Sequence, residues 1–263
     1  MKRFKTTMRK LAKWLLFGTL VSGAVYGALI SAHRTSQRAP MSEIQDATNI
    51  TNDLDDRERQ AVRGSRQSAV RVLSVDEEGH VAGSSGTYFS MGGDARYILT
   101  TAHGILGDCE ETRAVYEEEI YECVEFVIVD AAMDYAIFEV EEVEAAVPIR
   151  MPRHLPRPSE WKEELSILSK VYYTGFPNGE GPSTIGGAIM NIDNHKILLD
   201  SYAWPGSSGS GVFSNEGKYI GYVVAVEVGW TRFNIQILEN VVWVIPAYNV
   251  DWDYLKTYES EGE

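Results

Sequence analysis

The chain's hydrophobic pattern changes character three times. Six basic residues, Lys2, Arg3, Lys5, Arg9, Lys10 and Lys13, precede an uncharged, largely apolar stretch from Trp14 to Ala32. As a helix, these 19 residues would rise about 28 Å, near the thickness of a bilayer's hydrocarbon core. Residues 33–66 are polar, with Pro40 and few large apolar side chains, and read as a stalk containing a short helix from Ser42 to Gln60. From about residue 67 short β-rich runs follow, broken by Gly, Asp and Asn: Val70 to Val75, Gly86 to Met91, Tyr97 to Thr101, Tyr121 to Val129 and Tyr135 to Val140. A proline-bearing segment, Val147 to Arg157, separates these from Val171 to Gly175, Ile185 to Ile192, Lys196 to Leu199, Gly211 to Phe213, Tyr219 to Val228 and Val241 to Ile245. Short strands at this spacing, without long amphipathic helices between them, predict sandwiches or barrels rather than a parallel α/β sheet. The two series predict β units over about 67–146 and 158–246, then a helix from Ala247 to Tyr258 and an acidic tail, 259–263.

Charge sharpens this division. The net charge is −14, yet residues 1–38 hold eight Lys or Arg and no acid, so the rest carries 16 basic against 38 acidic residues. So negative an envelope repels phosphate backbones, which argues against nucleic acid as a partner. The six positive charges before the apolar run outweigh Arg34 and Arg38 after it. That bias keeps residues 1–13 in the cytoplasm and sends the remainder across, with 14–32 as a signal-anchor. The membrane is then a partner through this helix, and secretion after cleavage behind Ala24 or Ala32 is the alternative. An oxidising exterior would permit a disulfide between Cys109 and Cys123, the only cysteines. Neither these nor the five histidines suggest a metal site, and no cofactor is expected.

Three segments carry candidate chemistry. Thr100-Thr101-Ala102-His103-Gly104 ends a strand, Asp134-Tyr135-Ala136-Ile137-Phe138 begins one, and Gly206-Ser207-Ser208-Gly209-Ser210-Gly211 is a glycine-rich turn. Together they supply a hydroxyl nucleophile (Ser208), a base (His103), an acid to fix the base's tautomer (Asp134), and backbone N–H groups of Gly206 and Ser208 for an oxyanion. An α/β-hydrolase needs its histidine after the serine. Here His33, His80, His103, His154 and His195 all precede Ser208.

On these motifs, with the Gly175-Phe176-Pro177-Asn178-Gly179 turn and Gly217-Lys218-Tyr219-Ile220-Gly221, the chain resembles the trypsin-like serine peptidases, in particular their HtrA/Deg-like bacterial branch. The likeness runs from about Ser68 to Ile245. It implies an all-β fold of two antiparallel six-stranded barrels within a peptidase domain over 67–258, with His103 and Asp134 from the first barrel and Ser208 from the second. The implied activity is endoproteolysis of proteins or peptides through an acyl-enzyme, outside the cytoplasm. A catalytically silent scaffold that binds a partner at the membrane is the alternative.

The chain departs from the family in places. Ser210 stands where the family often has glycine, Ser207 where zymogens have the Asp that pairs with a freed N-terminus, and the residues after Ser208 leave no room for a PDZ domain. The resemblance also implies a substrate pocket floored by Tyr202 and walled by Val224, Ala225 and Val226, small and apolar. A register shift would instead turn Glu227 inward to favour a basic residue. Tyr202 and Trp204 read equally as core aromatics or pocket walls.

Overall fold

The computed structural model describes residues 54–193, 195–230 and 235–262. The expected membrane-spanning segment, and the stalk as far as residue 53, lie outside them. Among the described residues no helix is long and apolar enough to cross a membrane.

The first six strands are β1 Ala69–Val75, β2 Val81–Ser90, β3 Arg96–Thr100, β4 Thr112–Tyr116, β5 Glu119–Asp130 and β6 Tyr135–Val140. They pair in the order β1-β4-β5-β6-β3-β2, and a β1–β2 pairing closes the barrel. A two-residue strand, β7 Ile149–Arg150, adds to β2 in parallel. The second barrel closes as β10-β13-β12-β11-β8-β9. Its strands are β8 Lys170–Gly175, β9 Ser183–Asp193, β10 Lys196–Asp200, β11 Gly211–Ser214, β12 Tyr219–Trp230 and β13 Ile235–Pro246. The expected two six-stranded antiparallel barrels are therefore present.

Alternation along single strands explains why several runs are continuously apolar. In β3, Ile98 enters the first barrel's core beside Val70, Val72 and Phe138, while Tyr97 and Leu99 face the other way. They join Tyr135, Ile137, Phe213, Tyr219 and Tyr222 in a third cluster, a seam shared by strands of both barrels. A strand buried on both faces has no solvent side to mark with polar residues. The seam is covered by Trp252 and Leu255 of a C-terminal helix, and Trp252 meets Phe89 edge-on at 5.7 Å.

Three helices complete the domain: α1 Asp56–Ser68, α2 Trp161–Glu164 and α3 Trp252–Gly262. Two boundaries differ from expectation. The stalk does not reach Arg66, because α1 belongs to the folded unit: Asp55 caps it by accepting from the N–H groups of Arg57 and Glu58, each at 2.9 Å. Glu58 returns a bond to the Asp55 N–H and also accepts from Lys170 Nζ at 2.8 Å and Tyr172 OH at 3.0 Å on β8. The acidic tail is not separate either, since α3 runs to Gly262 after a 3₁₀ turn at Ala247–Asn249.

Candidate active site

His103 lies in a 3₁₀ turn, Ala102–Gly104, just beyond β3, and Asp134 in the turn before β6 with a φ of +54°. Antiparallel pairing of β3 with β6 sets Thr100 opposite Ala136, which brings the two turns together. Asp134 Oδ2 lies 2.7 Å from His103 Nδ1, and Oδ1 accepts from the His103 backbone N–H at 2.9 Å. One carboxylate thus holds both the ring and the backbone of the same histidine. With Nδ1 engaged by an acceptor, Nε2 is the ring nitrogen left to take a proton. The acid is partly open to solvent, its side chain 32% exposed. Tyr222 braces this turn from below, its OH donating to the Met133 carbonyl at 2.8 Å, and burial pushes that phenol's pKa up and keeps it protonated.

The loop that bears Ser208 enters from the second barrel, between β10 and β11. Gly206 has a φ of +93°, and a Cβ there would stand 2.5 Å from the Phe176 carbonyl, so both conformation and space require glycine. Gly209, at +87°, is equally constrained, since a Cβ would strike the Ser85 carbonyl. Ser208 Oγ donates to the Val224 carbonyl at 3.3 Å rather than to His103. Neither the Gly206 nor the Ser208 N–H donates to a protein acceptor among the described residues. Beside the loop lies a cavity of about 400 Å³ lined by Trp204, Ser208, Ala225, Val226, Ile237 and Glu239, among others.

The pocket differs from expectation at two of its four residues. Tyr202 is not its floor. The backbone N–H groups of Ser201 and Ala203 donate to the carbonyls of Asn240 and Glu239 on β13, each at 3.2 Å. This strand-like pairing buries Ser201 and Ala203 and turns Tyr202 outward, 55% exposed and stacked on Trp204 with ring centroids 6.1 Å apart. Val224 does not line the cavity: its carbonyl accepts from Ser208 Oγ, and its side chain sits in the seam between the barrels. Ala225 and Val226 do line the cavity. Glu227 does not: its carboxylate accepts from Trp243 Nε1 at 3.0 Å and the Val228 N–H at 3.1 Å.

The model of the family described as trypsin-like peptidase domain matches residues 84–221, just over half the chain. The chain belongs to this family. Solved structures agree on the fold of this peptidase domain. The serine endoprotease of Yersinia pestis is 22% identical over 77% of this chain and 68% of its own, with a TM-score of 0.57. The Rv3671c protease of M. tuberculosis, in its active form, is 18% identical over 75% and 84%, with a TM-score of 0.56. The HtrA-type protease AlgW, solved with a tripeptide, is 16% identical over 73% and 60%, with a TM-score of 0.54. No curated protein matches the chain. Among the described residues of the peptidase domain there is no PDZ domain.

Cys109 and Cys123 form a disulfide with Cα atoms 5.3 Å apart, which ties the loop after His103 to β5. Ser207 is buried and accepts from the Trp204 N–H at 3.2 Å. His80, which the sequence reads without metal-ligating neighbours, lies with Asp76 and Glu78 in an exposed turn, their ligand atoms within 4.8 Å of one another. Sequence reasoning missed Ile237 and Glu239, because β13 begins six residues before the Val241 expected for it. It also missed Ser85, whose only signal is its place between Ser84 and Gly86.

Proposed function

We propose that the protein is a serine endopeptidase in which Ser208 attacks the scissile carbonyl. His103 takes the hydroxyl proton and delivers it to the leaving amine, and Asp134 stabilises the imidazolium between these steps. The bidentate hold of Asp134 on His103 is the observation that carries this reading, since it fixes the tautomer that general-base catalysis requires. A 3.3 Å bond to Val224 is at the weak end for a hydroxyl, so rotating Oγ toward His103 costs little. The N–H groups of Gly206 and Ser208 receive the oxyanion, and water then releases the acyl group from Ser208. No cofactor enters these steps.

The substrates are proteins or peptides with an apolar residue before the scissile bond, accommodated beside Ala225, Val226, Trp204 and Ile237. The reading includes an N-terminal membrane anchor over 14–32 with the peptidase domain outside the cytoplasm; its support is the charge asymmetry around the apolar run.

A fluorophosphonate probe tests the chemistry. It should label the full-length protein at Ser208, and Ser208→Ala or His103→Ala should lower peptide turnover by about 10⁴ to 10⁶. A catalytically silent scaffold would give no labelling and equal turnover in all three proteins.

A further inference from the structure

Four consecutive peptide planes pass through the nucleophile loop, and the carbonyl of each is held. The Pro205 carbonyl accepts from the Asn178 N–H at 2.6 Å, and the Gly206 carbonyl from Ser85 Oγ at 2.6 Å. The Ser207 carbonyl accepts twice from Ser210, from its N–H at 3.1 Å and its Oγ at 2.7 Å. The Ser208 carbonyl accepts from the Ser85 N–H at 2.7 Å. In a planar trans peptide the N–H points opposite the C=O. Holding the Pro205 carbonyl therefore aims the Gly206 N–H, and holding the Ser207 carbonyl aims the Ser208 N–H. Those are the two donors that the peptidase reading needs.

Two of the anchors are side chains, and both are fully buried. Ser85 Oγ spans two segments, accepting from the Phe176 N–H at 2.9 Å while it donates to Gly206. Its own carbonyl is held by Thr100 Oγ1 at 2.8 Å, so the clamp is seated in the first barrel. Ser210 has its hydroxyl only because residue 175 lacks a Cβ, which would collide with Ser210 Oγ. A buried hydroxyl given space in this way and aimed at one carbonyl resists rotation of the peptide that bears the Ser208 N–H.

We propose that Ser210 and Ser85 are positioning residues that latch the oxyanion-binding loop in its donor-forward arrangement from within the folded domain. They replace the ion pair to a freed N-terminus that Ser207 cannot make. This rests on the serine peptidase reading and says how the site stays assembled.

The test compares Ser210→Ala, Ser210→Gly and Ser85→Ala with the wild-type full-length protein. Each is assayed for kcat and KM on a peptide substrate, and for binding of a peptide boronic acid and the same peptide as its amide. The boronate's tetrahedral adduct uses the oxyanion donors, whereas the amide uses only the pocket and cleft. Each variant should lose about tenfold to hundredfold in kcat and in boronate affinity, with KM and amide binding changed less than about threefold. The pH at which activity reaches half its maximum should not move. If Ser85→Ala fails to fold, the two Ser210 variants decide. Unchanged kcat in well-folded variants overturns the latch alone, as does a parallel loss of amide binding, which would mean general loosening. A wild-type protein that neither turns over substrate nor binds the boronate overturns the peptidase reading and the latch with it.

Discussion

Within the cleft, Val226 is the wall residue whose branched side chain faces the cavity beside Ala225. Val226→Gly should widen the pocket and raise kcat/KM for a peptide with Phe before the scissile bond relative to one with Val. A change of about tenfold or more is expected, since a few methylenes in an apolar pocket are worth that much. Dominant cleavage after Lys or Arg in a peptide-library digest would show that the Glu239 carboxylate, rather than the apolar wall, governs the site. The proposed catalytic residues were legible because each sits in a short local motif: His103 after a strand, Asp134 before one, Ser208 among glycines. The pocket floor was not. Counting back six residues from Ser208 reaches Tyr202, but which face a side chain takes depends on the pairing of 201–203 with β13, and that pairing leaves no local mark. Ser85 escaped for the same reason, since a serine whose partners lie 91 and 121 residues away in the chain looks like any serine in a strand.

Among the elements, α1 shows how one residue joins local and tertiary structure. Glu58 completes the capping box and accepts from Lys170 and Tyr172. Its pKa lies below the usual carboxylate value of 4.5, first because of the hydrogen bond from Lys170, then that from the Asp55 N–H. A carboxyl held low when folded contributes stability that is fully present above the unfolded value and lost as pH falls through the folded one. Protection factors of the α1 amides, which correct for the intrinsic exchange rate at each pH, should therefore fall as pH drops below the ordinary carboxylate value of 4.5. Glu58→Gln should show weakened protection already at neutral pH and less dependence on acid. Equal protection in the two proteins across this range would mean that the carboxylate does not fasten the helix. Strand β4 was the main element hidden in the sequence. Its hairpin to β5 turns through Glu117 and Glu118, both with positive φ at +48° and +77°, where a two-residue turn normally announces itself with Asn or Gly. A run of glutamates reads instead as a solvated loop, and strand pairing overrides that local preference.

For the molecule as a whole, α1 bridges what the barrels divide. It continues directly into β1 of the first barrel, yet its side chains fasten to the second: Ser65 Oγ donates to Thr174 Oγ1 at 2.9 Å, and Arg66 reaches Thr184 Oγ1 at 2.9 Å. A cut near Arg66 that freed an N-terminus before β1 would sever this strap instead of releasing a terminus useful to the loop that bears Ser208. Ser207 offers no carboxylate for such a terminus, and the loop's carbonyls already have partners. The full-length protein should accordingly be active without processing, and a fragment beginning at Leu54, where the compact unit starts, should match its kcat/KM within about twofold to threefold. A fragment beginning at Ala69 lacks the strap and should melt lower by on the order of 5–10 °C, given that about 1 kcal/mol moves Tm by 2–4 °C in a domain of this size. The three proteins, assayed on one peptide substrate and melted side by side, separate the outcomes: a full-length chain that is inert until clipped near Arg66, with the Ala69 fragment gaining activity, would show that α1 restrains the site rather than supports it.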